Sequence, residues 1–151
     1  MLPIPAPVPW PDTGTLSTIA GIIAAFSVSM IFFRVQREIQ MHGDGEINWV
    51  PWADRLLLLS SFLSLICVLL PLVAAHPSSW AYQRLPGPAC AATVVLVAAY
   101  PAAILAHYRF ILGCGREGER DNPEPAERWI VWFALASSLA TAAWSYPLHA
   151  L

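Results

Sequence analysis

The charges of this chain leave four long gaps, and those gaps constrain its fold more than any other feature. All 18 charged side chains fall at Asp12, between Arg34 and Arg55, at Arg84, and between Arg109 and Arg128. The runs 13–33, 56–83, 85–108 and 129–151 carry none and hold 21, 28, 24 and 23 residues. A helix crosses a hydrocarbon core of roughly 30 Å with about 20 apolar residues, so each run is long enough. Lipid offers no partner to a free backbone N–H or C=O, which favours helices that close their own hydrogen bonds. A β-barrel needs short alternating segments, and the run from Leu56 to Ala75 does not alternate.

Composition points the same way. The chain is 57% hydrophobic and 12% charged, about half the charge of an ordinary soluble domain. That argues against a soluble globule, and against disorder, which needs low hydrophobicity and high charge. A net charge of −2 supplies no basic surface, so no nucleic-acid partner is expected. All eight basic residues are arginine. With the abundant Ala, Leu and Pro, this is the coding bias of a GC-rich bacterial genome.

The expected fold class is therefore all-α: a polytopic membrane protein with four transmembrane helices in a compact bundle. The spans are placed near 14–40, 52–75, 88–112 and 125–147. Residues 1–13 form a Pro-rich outer segment, 14–147 the membrane domain, and 148–151 a short tail. Pro51 and Pro125 suit a first helical turn. Asp54 and Glu127 then sit where the dipole of their own helix favours an acid. Pro71 and Pro101 fall inside spans and predict kinks. The segment through Pro11 has no basic region of the kind a signal peptide needs. It reads as polyproline II or irregular chain.

Arginine counts set the orientation. The two hairpin loops joining spans 1–2 and 3–4 hold seven arginines, and the loop between spans 2 and 3 holds only Arg84. Both termini are thus expected outside a bacterial cytoplasmic membrane, with two hairpins inside. The seven tryptophans lie near span ends, as an aromatic belt requires. The hairpins also echo one another. Arg34 to Arg109 and Arg55 to Arg128 are offset by 75 and 73 residues, the pattern of a tandem two-helix repeat. A closed bundle would gather Arg34, Arg55, Arg109 and Arg128 into a cytoplasmic ring, with Asp54 and Glu127 beside it. Two interpretations stay open: arginines snorkelling to lipid phosphates, or a headgroup, anion or partner site.

Packing is expected through small residues, which let helices approach closely in lipid. Span 1 carries Ser17, Gly21, Ala25 and Ser29, span 3 Ala98, Ala102 and Ala106, and span 4 Ala134, Ser138 and Ala142. Span 2, rich in leucine, should show more of itself to lipid.

No Asp, Glu, Lys or Arg lies in the middle of a span, whereas proton-coupled carriers, pumps and voltage sensors keep such a residue at depth. Walker-loop, metalloprotease and hydrolase motifs are missing from the sequence. Cys67, Cys90 and Cys114 are odd in number and lack CxxC spacing, against a disulfide framework or a zinc site. His42, His76, His107 and His149 lie near span ends, where interfacial roles are commoner than haem or metal ligation. No cofactor, metal or catalytic residue is expected, and the chain is read as a non-enzyme. Its expected partners are the bilayer and either a second protein or further copies of itself. Two function classes remain: an accessory or structural subunit of a membrane assembly, or a small oligomeric channel or transporter. Ser27, Ser29, Ser60, Ser64, Ser137 and Thr141 would line the latter.

Overall fold

In a computed structural model of the chain, residues 11–42, 51–107 and 125–145 are described. Their regular elements are all helices, and no strand occurs among them. Helix α1 runs Thr13–His42, and α2 runs Trp52–Phe62. A π-helical segment, Leu63–Leu69, continues α2 into α3, Leu70–Ala74. A short α4, Trp80–Arg84, precedes α5, Pro86–His107, and α6 spans Pro125–Ser145.

Local chemistry explains the helix starts. Asp12 caps α1: its Oδ1 accepts from Thr15 N at 2.7 Å and its Oδ2 from Thr15 Oγ1 at 3.2 Å. Those bonds favour the ionised form and hold the Asp12 carboxyl below its ordinary value. Pro51 stands in an extended conformation just before α2 and accepts from Asp54 N at 3.1 Å. Ser79 caps α4 by accepting from Tyr82 N. Pro125 opens α6, as its spacing predicts.

The π-helical turns end at Leu69, two residues before Pro71. A proline lacks an N–H, and its ring clashes with the carbonyl four residues earlier. Widening the turns ahead of it moves that carbonyl, and Leu70 N instead reaches back five residues to Leu65 O. Ser60, Ser64 and Val68 all stay fully buried through this segment. Pro101 lies inside α5, which continues past it to His107.

The long helices alternate in direction, and α5 packs against α1, α2 and α6. One core cluster, near the start of α2, joins Leu56, Leu57, Leu96, Tyr100 and Val131. A second, near the start of α1, joins Leu16, Ala20, Val68, Ala89 and Cys90. Buried positions on α1 are Leu16, Ala20, Ile23, Ala24, Ser27 and Arg34. On α6 they are Glu127, Val131, Ala134, Ser138 and Ser145. Apart from the adjacent Ile23 and Ala24, both sets step by three, four or seven residues, a stripe along one helix face.

One expectation needs correction. The small-residue ridge of α1 is not its packing face. Ser17 and Gly21 are half-buried, while Ala25 and Ser29 are exposed. A Cβ added at Gly21 would meet nothing within 4 Å. The neighbouring face, with larger side chains and more area to bury, meets the bundle instead. On α5 the expected ridge runs from exposed Ala98 to buried Ala106. On α6, Ala134 and Ser138 are buried. Span 2 does turn Leu58, Phe62, Leu65, Ile66 and Leu70 outward.

Of the four expected spans, three meet the length and apolarity of a membrane crossing among the described residues: Thr13–Arg37, Trp52–Ala74 and Pro86–Ala106. Helix α6 has 21 residues, but Ser137, Ser138, Thr141 and three tryptophans dilute its apolarity. It is not among them. At 30 residues, α1 is about 45 Å long and outruns a bilayer core, as its unbroken sequence predicts.

Candidate functional site

The first turn of α2 is a hub. Of four consecutive residues there, Trp52 and Ala53 meet α6, Asp54 meets α1, and Arg55 lies over Trp52.

Asp54 meets α1. Its Oδ1 lies 3.4 Å from Arg34 Nε, and both residues are about 8% exposed. Removing two charges from water is costly, and an ion pair offsets this only when each partner is well placed. This pair pins the far part of α1 to the start of α2.

Ala53 meets α6. Its backbone N–H donates to Glu127 Oε1 at 2.8 Å, and both residues are 0% exposed. The first four N–H groups of any helix lack partners within it. Here a carboxylate from the first turn of a different helix supplies one. Sequence reasoning assigns Glu127 to the dipole of its own helix. The structure sends it across to α2, and this also requires α2 and α6 to start at the same end of the bundle.

Trp52 meets two cations. The Arg55 guanidinium carbon lies 3.8 Å from the ring centroid, and that of Arg128 lies 5.3 Å from it. Both are within the range where the ring quadrupole attracts a cation. Two like charges thus approach one aromatic ring at the bundle surface, since Arg55 and Arg128 are both exposed.

Below that pair a cleft of about 410 Å³ runs between α2 and α6. Leu56, Leu59 and Phe62 line it from α2, and Val131, Trp132 and Leu135 from α6. Trp52 and Arg55 stand at its mouth.

The expected arginine ring therefore resolves into two arrangements. Arg34 is turned inward onto Asp54, while Arg55 and Arg128 face outward over Trp52. Arg109 lies outside the described residues, so its place in the ring and its match to Arg34 in the sequence echo are not described. The cleft walls were missed by sequence reasoning. A signal was present: Arg55, Leu59 and Phe62 repeat as Arg128, Trp132 and Leu135 at the same spacing.

The hydroxyls expected to line a pore are placed as follows. Ser27 Oγ and Ser60 Oγ lie 2.9 Å apart in the buried contact between α1 and α2, and Ser60 also donates to Leu57 O. Thr141 donates to Ser137 O, and Ser29 is exposed. Ser64 is fully buried. Ser138 donates to Ala92 O of α5 at 3.2 Å. Among the described residues no group of three His, Cys, Asp or Glu could hold a metal ion. His76, in the hairpin before α4, bonds Ser78 Oγ through Nδ1 at 2.8 Å. Cys114 and His149 lie outside the described residues.

No known protein family, curated protein or solved structure matches this chain.

Proposed function

We propose that the chain is a small integral membrane protein that serves as a non-enzymatic accessory or structural subunit of a membrane assembly. It sits in a bacterial cytoplasmic membrane with both termini outside. In this reading α6 is a fourth span. It is about 31 Å long by its residue count, and it lies along α5. Its outward side chains Trp129, Trp132, Phe133, Leu139 and Trp144 are all more than half exposed. Tryptophans near both ends suit the two headgroup regions.

The observation that carries the subunit reading is the bonding of the buried hydroxyls. A polar pathway needs hydroxyls that converge on a shared space. Ser27 and Ser60 instead bond each other across a helix contact, and Ser138 bonds the α5 backbone. These bonds serve packing, as polar side chains between membrane helices commonly do. An assembly of several copies as a channel is the second reading. It draws on the open face of α1 at Gly21, Ala25 and Ser29, where small residues leave room for another helix.

Purification in mild detergent at native expression tests the two. A stoichiometric second protein is the outcome expected of a subunit. A homo-oligomer free of other proteins, conducting ions in liposomes, would replace that reading with the channel.

A further inference from the structure

We propose that the cleft between α2 and α6 holds one acyl chain of an anionic phospholipid, with the lipid phosphate on Arg55 and Arg128.

Three observations support it. First, the cleft is apolar along its walls, and its one cationic lining residue, Arg55, stands at the end nearest the start of α2. Leu59, Phe62, Trp132 and Leu135 form the walls with Trp52 and Arg55, and Arg128, outside the lining, reaches the same end through the Trp52 ring, 5.3 Å from its centroid. A phospholipid has the same polarity along its length. Second, the dimensions agree. From Trp52 to Phe62 the helix rises about 15 Å, half of a hydrocarbon core of roughly 30 Å. One leaflet's acyl chain fills that depth. Third, two guanidiniums near one ring repel each other, and a bound phosphodiester relieves that repulsion. Guanidinium groups suit phosphate oxygens, through paired N–H donors.

The site differs from the bulk of the lipid contact by its charge. A lipid without net charge gains the same apolar walls but not the phosphate contact at the rim. An arginine near an anionic surface contributes about a fivefold preference at low salt, so the two together give roughly thirtyfold. The inference rests on membrane insertion alone and not on the subunit role.

The test uses the full-length chain, delipidated in mild detergent and then offered phosphatidylglycerol and phosphatidylcholine with identical acyl chains. Native mass spectrometry reads what is retained. The wild type is expected to keep phosphatidylglycerol over phosphatidylcholine by roughly thirtyfold. In Arg55→Gln/Arg128→Gln the preference falls to near parity. In Leu59→Ala/Leu135→Ala, both lipids are held several-fold more weakly and the preference survives. Circular dichroism confirms that each variant keeps its helix content. Equal retention of the two lipids by the wild type overturns the proposal, and so does a preference that outlives both arginines. Displacement of phosphatidylglycerol by inorganic phosphate, with no effect of the wall variant, assigns the arginines to a free anion instead and also overturns it. Each of these failures leaves the subunit reading intact, because that reading is decided by the proteins that co-purify.

Discussion

Replacing Glu127 with alanine separates two accounts of one carboxylate. If Glu127 acts only on the dipole of its own helix, its removal costs about 0.3–1 kcal/mol. The structure assigns it more. Its Oε1 takes the Ala53 N–H at 2.8 Å, and neither residue has any exposed surface. No bulk water stands ready to replace the lost acceptor. A hydrogen bond to a charged group contributes about 1.5–3 kcal/mol, and a buried donor left without a partner costs about 1–3 kcal/mol. Glu127→Ala is therefore expected to destabilise the bundle by about 3 kcal/mol. Glu127→Gln keeps an acceptor oxygen of nearly the same reach and should lose about 1 kcal/mol. Reversible unfolding of the full chain in mixed micelles, followed by far-ultraviolet circular dichroism, measures both. Hydrogen exchange adds a local readout, since the Ala53 amide should lose protection before its neighbours in Glu127→Ala. A loss below about 1 kcal/mol, with Ala53 protection unchanged, would refute the cross-helix cap.

Three further outcomes follow from named contacts. Arg34→Met breaks a buried ion pair and should cost about 3–5 kcal/mol, while Arg34→Met/Asp54→Leu recovers most of that loss; the same unfolding titration reads it. Gly21→Ala should stabilise the chain by up to about 1 kcal/mol through helix propensity, because the added Cβ meets nothing; destabilisation with a smaller particle mass would place a second copy on that face. The bonds that lower the Asp12 carboxyl set a pH dependence with a definite sign. Their contribution is full above the unfolded carboxyl's value and is lost as pH falls through the lower, folded one. Protection of the Thr15 amide should follow that curve in the wild type and lack it in Asp12→Asn.

The elements of this fold were legible in the sequence because their causes are local. Charge-free runs of more than twenty residues fix where helices lie. Prolines and caps fix where they start, and α2 opens at Trp52 and α6 at Pro125, where the spacing puts them. Even the length of α1 follows from the lack of a breaker before Gly43. Which face each helix buries was not legible. Leu16, Ala20 and Ser27 lie about one residue step, a rotation of about 100°, from the Ser17–Gly21 ridge. Both faces of α1 are apolar enough for either role, and only the shape of the neighbouring helices selects one. The partners of Asp54 and Glu127 were hidden for a related reason. A carboxylate in a first turn satisfies the same local rule whether it serves its own helix or another. Arg34 and Ala53 N–H became the partners because tertiary packing brings the end of α1 and the starts of α2 and α6 to one end of the bundle. The cleft beneath Arg55 and Arg128 exists for that reason too: it belongs to the gap between two helices, which neither helix specifies alone.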